Sequence, residues 1–389
     1  MTRRQYSSPL TDDVAPVLRD SEPLWRLLDG AYVLITGGTG FVGCWLLETA
    51  LWARSRFGIE LRIDIVARRP ERLTAVAPHL AANPAVGLVR GDIRSGDLPR
   101  SAGYVGKPHG TDDRRDGNYT HVIHAATETN VALDNPPPLA AFDASVTGTR
   151  HVLDLCDREA VQRFLLISSG AVYGRGHDFG RPLRETDPLA GVRGDLAGAY
   201  ALGKAAAEFL AMASGTAQGF TAVVARCFSF IGPYQPFDSG FAVANFIRDA
   251  LAGKPILIKG DGTPMRSYLY GADMALWLWT ILLRGQHGEI FNVGSDRPMS
   301  IGDLARRIAH EVAAALPVRE HPVVVAGAPT GRPPEMFVPD VDLARTRLGL
   351  EVLTPLDVAI RRTAHWATCE GVPDHAKSCA LRPLPPPNP

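Results

Sequence analysis

Three residues have the types and spacing for joint acid–base work. Tyr200 and Lys204 lie four apart in Tyr200-Ala201-Leu202-Gly203-Lys204, and residues four apart share one face of a helix, so a phenol and an ammonium meet there. A nearby cation favours the phenolate, and a tyrosine tuned in this way can exchange a proton with a substrate hydroxyl while a hydride moves to a nicotinamide. Upstream, the run Arg163 to Ile167 ends in Ser168-Ser169-Gly170-Ala171-Val172-Tyr173-Gly174. The Ser169 hydroxyl can hold the substrate oxygen and pass or share its proton.

Such chemistry needs a dinucleotide, and one stretch is built to hold it. Thr36-Gly37-Gly38-Thr39-Gly40-Phe41-Val42-Gly43 follows the apolar run Ala31 to Ile35 and leads into Cys44 to Trp52. A buried strand, a turn with almost no side chains and then a helix bring a pyrophosphate against a helix N-terminus, where free N–H groups and the macrodipole favour an anion. Gly37, Gly40 and Gly43, with Phe41 and Val42 between them, are therefore candidate cofactor residues. The next strand, Leu61 to Val66, ends in Ala67-Arg68-Arg69-Pro70. A carboxylate at this strand end accepts the ribose 2′-hydroxyl of NAD, whereas an Arg accommodates the 2′-phosphate of NADP. With Arg68 and Arg69 here and no acid, NADP(H) is favoured; the alternative is an NAD site without its usual acid, overhung by solvated arginines.

Further strand ends supply the rest of the crevice. Val86 to Val89 runs into Gly91-Asp92-Ile93, where Asp92 either accepts from an adenine amino group or caps the next helix. Thr120 to Ile123 leads into His124-Ala125-Ala126-Thr127-Glu128. Small residues at Ala125 and Ala126 let a nicotinamide ribose lie across the strand ends, and His124 reads as a packed structural histidine.

Strand and helix alternate without a hairpin signal. That predicts an α/β fold with a doubly wound parallel (Rossmann) sheet. The expected organisation is an N-terminal arm over 1–30, a dinucleotide-binding region from residue 31, and a Pro-rich tail over 376–389. Residues 94–118 read as a long surface loop. Asp273 to Leu283 reads as an apolar helix with Trp277 and Trp279 in the core, and Ser300 as the N-cap of a helix to Ala315.

Across the 389 residues, Lys+Arg 41 balances Asp+Glu 41. No net field recruits nucleic acid or an anionic membrane, so any phosphate site is made locally. The longest apolar segment, Met274 to Leu283, is too short to span a bilayer. Five scattered cysteines show no metal-ligand spacing and suit buried thiols in a reducing compartment, so a cytoplasmic protein without a metal is expected.

The turn Thr36 to Gly43, Asp92, His124-Ala125-Ala126, Ser168 to Gly174 and Tyr200 to Lys204 together resemble the extended short-chain dehydrogenase/reductase family of nucleotide-sugar epimerases and dehydratases. Arg226-Cys227-Phe228-Ser229-Phe230-Ile231-Gly232-Pro233 resembles its R-x-F-N-x-x-G-P. Asn245-Phe246-Ile247, Gly260 to Tyr268, Phe291 to Gly294 and Pro339-Asp340 extend the likeness over roughly residues 31 to 370. The resemblance implies a dinucleotide domain over 31–175 that also receives 195–228, a smaller C-terminal substrate domain mainly over 229–375, a bound NAD(P), a sugar linked to a nucleoside diphosphate, and hydride transfer at a sugar carbon, commonly C4. It implies Tyr200 as general base, Lys204 as its electrostatic partner and ribose ligand, and Ser169 as the orienting hydroxyl. Asn245 and Arg266 would hold the diphosphate, with Ser229 beside them, and two helices per subunit would form a homodimer.

Departures narrow the choice. Dehydratases and decarboxylases of this group usually carry an acid two residues before the Tyr of V-Y-G, and Ala171 stands there, preceded by Gly170. That favours redox-only chemistry: a 4-epimerase, or alternatively an NADPH-dependent 4-ketoreductase. Glu128 is the substitute acid to test should a dehydratase emerge. Ser229 and Ser145 replace usual asparagines, shortening donors near the substrate.

Overall fold

The computed structural model describes residues 6–99, 118–126, 138–174, 180–191, 198–237, 240–329, 331 and 333–368. Two helices, α1 (Thr11–Leu18) and α2 (Glu22–Trp25), precede the first strand, β1 (Ala31–Thr36). Then come α3 (Phe41–Phe57), β2 (Leu61–Ala67), α4 (Glu71–Val76), α5 (Pro78–Ala81), β3 (Val86–Arg90), β4 (His121–His124), α6 (Pro138–Arg158), β5 (Arg163–Ser169), α7 (Ala199–Gln218) and β6 (Thr221–Cys227). The remainder is β7 (Phe230–Ile231), α8 (Ala242–Leu251), β8 (Ile256–Ile258), β9 (Met265–Arg266), β10 (Leu269–Tyr270), α9 (Gly271–Arg284), β11 (Ile290–Val293), β12 (Met299–Ser300), α10 (Ile301–Ala315), β13 (Val323–Val325), β14 (Met336–Phe337), α11 (Asp342–Leu348) and α12 (Leu356–Thr368).

Seven strands form one parallel sheet in the order β3-β2-β1-β4-β5-β6-β11. Every residue of β1 is buried, as a strand covered on both faces requires. Its side chains alternate: Val33 and Ile35 join the core beneath α3 and α9, whereas Tyr32 and Leu34 join the core beneath α6 and α7. Strand order reverses between β1 and β4, and that switch point is where open parallel sheets leave a crevice for a ligand. The expected doubly wound sheet is present, and beside it small two- and three-stranded sheets carry the later segments.

The stretch expected as an arm is built into the core. Val14, Leu18, Leu24, Trp25 and Leu28 are fully or almost fully buried, and α1 and α2 pack on α3. Trp25 lies 5.5 Å from Trp279 between ring centroids, and Trp279 donates to the Leu46 carbonyl. Trp277 and Trp279 are both core residues, as expected. Local pattern hid this layer because each N-terminal helix is short and finds its apolar partner far away in the chain. The proline-rich tail and most of the 94–118 loop lie outside the described residues.

Candidate active site

The glycine turn leaves β1 at the switch point, where Thr36 is paired with His124 of β4. Gly37 takes φ +71°, and a Cβ on it would lie 2.7 Å from the Ala126 backbone. A Cβ on Gly43 would lie 2.3 Å from the Gly38 Cα, so the start of α3 rests directly on the turn. Gly40 is the N-cap, and Phe41, Val42 and Gly43 form the first turn, whose amides have no acceptor within the helix. A backbone-lined cradle at a helix N-terminus fits a pyrophosphate.

Around this cradle the strand ends hold what the sequence placed there. Arg68 and Arg69 are exposed just beyond β2, with no carboxylate among residues 67–70. The Arg68 carbonyl accepts from Arg90, whose guanidinium also pairs with Glu71 at 3.1 Å. Arg90 was missed because only the register of β3 against β2, Ala67 opposite Arg90, brings it here. Asp92 departs from the helix-cap alternative: its carboxylate accepts from the Arg94 amide and side chain, and a turn bridged to Asp97 follows. The Arg94 guanidinium holds Asp92 below the usual carboxylate range. Ile93 is half-buried, and its carbonyl accepts from His151 or lies against it at 2.7 Å. Ala125 and Ala126 are half-buried at the end of β4, and the Ala126 amide donates to Thr36 Oγ1. His124 is buried between Thr36, 2.7 Å from Nδ1, and Thr149, 3.2 Å from Nε2. Burial first, and the charge of Lys204 second, push it down to about 3, so it is a neutral bridge across the switch point.

Ser169 lies on the strand rather than beyond it, because β5 stays paired with β6 through Ser169 opposite Cys227. Its Oγ accepts from the Ala171 amide at 3.1 Å and caps the single helical turn Gly170–Tyr173. Tyr200 opens α7 half-exposed, and the Lys204 ammonium lies 6.0 Å from its ring centroid. Lys204 is 3% exposed and donates to the Ile167 carbonyl at 3.0 Å.

Glu208, one turn further along the same face of α7, accepts from Ser168 Oγ at 2.5 Å and from Arg226 at 2.8 Å. Arg226 donates on to the Tyr173 hydroxyl at 3.0 Å, and Tyr173 to Asn292 at 2.7 Å. Burial pushes Tyr173 up to about 12, so it remains a donor. Lys204 and Glu208, one turn apart on α7, therefore bond two successive residues of β5, Ile167 and Ser168, and tie the helix that bears Tyr200 to the strand that bears Ser169. Glu208 was missed as a candidate, although its spacing of four from Lys204 was the available signal. Breaking a buried pair such as Arg226–Glu208 from one side costs about 3–5 kcal/mol.

Of the residues expected to meet the substrate, Ser229 and Asn245 are half-exposed. Asn245 Oδ1 accepts from Arg248 at 3.2 Å. Arg266 stacks 5.3 Å over the Phe337 ring and pairs with Glu335 at 3.3 Å. Gly170 backs onto Phe228 and Phe337: a Cβ there would lie 2.9 Å and 3.0 Å from their rings. Ser145 packs against Gly203 of α7, a Cβ on which would lie 3.0 Å from it, so a small residue suits the seam of α6 and α7. Glu128 lies outside the described residues. Among the described residues no group of three or more His, Cys, Asp or Glu could hold a metal.

The trifunctional UDP-glucose 4,6-dehydratase/UDP-4-keto-6-deoxy-D-glucose 3,5-epimerase/UDP-4-keto-L-rhamnose-reductase of Arabidopsis thaliana is 29% identical over 286 residues, 71% of this chain but only 38% of that protein. A dTDP-glucose 4,6-dehydratase of Streptomyces niveus is 25% identical over 86% of this chain and 92% of its own. Among solved structures, the UDP-glucose 4-epimerase of Thermotoga maritima with UDP-glucose superposes with a TM-score of 0.68 at 20% identity, covering 86% of this chain and 98% of that one. The dTDP-glucose 4,6-dehydratase of Bacillus anthracis in complex with NAD gives 0.66 at 22% identity, over 86% and 96%. A family model matches residues 33–294, from the strand that carries the glycine turn to the end of the last strand of the large sheet, and on that coverage the chain belongs to the NAD dependent epimerase/dehydratase family.

Proposed function

We propose that the chain is an NAD(P)-dependent 4-epimerase of a sugar linked to a nucleoside diphosphate. The observation that carries this reading is the turn Ser169-Gly170-Ala171: it bears no carboxylate, and the rings of Phe228 and Phe337 fill the space a side chain at Gly170 would need. A group able to protonate a leaving hydroxyl is thus absent from that turn, whereas the groups for proton exchange are present. The coenzyme, when bound, would accept a hydride from sugar C4 and return it to the opposite face of that carbon. Tyr200 takes the proton of the C4 hydroxyl as the carbon–hydrogen electron pair departs, so an alcohol becomes a ketone, and gives the proton back on the return. Lys204, anchored on the Ile167 carbonyl, supplies positive charge beside that phenol. Ser169 donates to or accepts from the same sugar oxygen, and Ser229, Asn245 and Arg266 hold the nucleoside diphosphate, Arg266 through its fork of donors.

A second reading, an NADPH-dependent 4-ketoreductase, draws on Arg68 and Arg69 at an acid-free strand end. Dinucleotide content separates the two. An epimerase releases stoichiometric dinucleotide on denaturation and interconverts a nucleotide sugar without added coenzyme, as followed by mass spectrometry and chromatography over a panel of nucleotide sugars. A reductase consumes one NADPH per product. A 4-keto-6-deoxy product would overturn both. For the coenzyme itself, Arg68→Ala raises the NADP(H) Kd by roughly tenfold, the scale of one charge-assisted contact, and leaves NAD(H) unchanged; equal NADP(H) affinity in the two proteins would refute the 2′-phosphate assignment. We further assign a homodimer through α6 and α7, and a reducing, cytoplasmic setting supported by the buried thiols Cys44, Cys156 and Cys227.

A further inference from the structure

Glu48 of α3 is fully buried, and four side chains from three separate parts of the chain converge on it. The Tyr6 and Ser8 hydroxyls both donate to Oε2 at 2.7 Å. His79 Nε2 lies 2.7 Å from Oε1, and the Tyr234 hydroxyl donates to that same oxygen. Burial first, and the charge of Glu48 second, push the phenols of Tyr6 and Tyr234 far above their ordinary range, so both stay protonated donors.

What this cluster holds is the segment that leaves β6 for the substrate side. Phe41, Trp45 and Glu48 share one face of α3, and each meets that segment. Phe41 stacks on Phe230 at 6.3 Å, Trp45 donates from Nε1 to the Pro233 carbonyl at 3.0 Å, and Glu48 takes Tyr234. The Tyr234 ring is wedged edge-on between Trp45, at 6.2 Å, and Trp366, at 5.0 Å. Tyr234 has φ +70°, a left-handed backbone that a bulky residue keeps only when its surroundings enforce it. The segment begins at Ser229 and leads to α8, which carries Asn245, so it links two of the residues assigned to the nucleotide sugar.

We propose that Glu48 is a positioning residue for nucleotide-sugar binding: with Tyr6, Ser8 and His79 it clamps the Tyr234 hydroxyl and thereby sets the spacing of Ser229 and Asn245 across the substrate side of the crevice. Residues 6–8 are then part of the binding apparatus, acting through Glu48. This role rests on the nucleotide-sugar reading above, and its test keeps the two separable.

Tyr234→Phe keeps the ring wedged between the tryptophans and removes only the hydroxyl; Tyr6→Phe does the same on the N-terminal side, and Glu48→Gln changes the carboxylate itself. Titration calorimetry of the full-length proteins with UDP, dTDP, GDP and CDP reads nucleoside-diphosphate binding, fluorescence titration reads NAD, and thermal melts report folding. The Kd of whichever nucleoside diphosphate the wild type binds rises roughly tenfold in Tyr234→Phe, the scale of one charge-assisted hydrogen bond, and less in Tyr6→Phe, while NAD affinity stays within about twofold. Variants that bind the diphosphate as tightly as wild type, with or without a lowered melting temperature, defeat the positioning role and leave the substrate reading standing. A wild-type chain that binds none of the four defeats the substrate reading and this role with it.

Discussion

Lys204 donates to the Ile167 carbonyl, and that bond fixes the end of its side chain. Lys204 is buried, and the carbonyl supplies one of its donors with an acceptor while the ammonium lies 6.0 Å from the Tyr200 ring centroid. The phenol is the group that exchanges the proton in the proposed reaction. Tyr200→Phe should therefore lower kcat by roughly 10²- to 10⁴-fold with KM and coenzyme content little changed; steady-state kinetics on the interconverted sugar check this, and a kcat within a few-fold of wild type would remove Tyr200 from the role. At this scale the sequence was informative. Tyr200, Lys204 and Ser169 could be picked out from type and spacing, because the proposed proton exchange calls for such side chains and residues four apart share one face of an α-helix. Arg90, Glu208 and Glu335 were not picked out, since each gains its partner from strand register or a long-range contact.

Among the elements, β4 shows how the sheet stores a pH response. His121 and His124 are both buried in it, and burial pushes them down to about 4 and about 3. The arginine Arg163 adds to the effect at His121, as Lys204 does at His124. The sign follows from linkage. Above pH 6.5 both rings are neutral whether the chain is folded or not, and neither lowers stability. As pH falls below 6.5 the unfolded chain takes up protons that the folded chain refuses, so each histidine removes about 1.4 kcal/mol of stability per pH unit until its folded value is reached. Urea denaturation at pH 7, 5.5 and 4.5 should show this loss, with a shallower slope in His121→Gln; equal slopes in the two proteins would mean the histidines do not contribute. The element pattern itself was legible, because alternating apolar runs and glycine punctuation report local conformation. The strand ends were read less well: Ser168 and Ser169 were expected past β5 and instead belong to it, since pairing with β6 outlasts the apolar run.

For the whole molecule, the outer face of α7 is the unusual surface. Its inner face carries Tyr200, Lys204 and Glu208, and yet Phe209 beside them is 73% exposed, as Leu139 of the adjacent α6 is at 70%. Large apolar side chains left open on two neighbouring helices favour a partner surface, and a second copy of this chain is the partner we assign. Phe209→Glu should shift the species seen by light scattering from two chains to one, with the melting curve of the monomer fold retained; an unchanged mass would refute the α6–α7 dimer.

By itself the sequence determined the parts whose physics is local: the glycine spacing that lets a backbone meet a phosphate, the four-residue interval between phenol and ammonium, the strand–helix alternation that admits a parallel sheet. Only the tertiary structure decided how those parts are held. The Tyr234–Glu48 contact closes 186 positions, and the Ser168–Glu208 contact closes 40. Separations of that size leave no periodicity to read, because a buried carboxylate needs donors and is indifferent to where in the chain they come from. The N-terminal helices belong with these: too short to show a pattern alone, they become core once α3 and α9 present the apolar face that buries them.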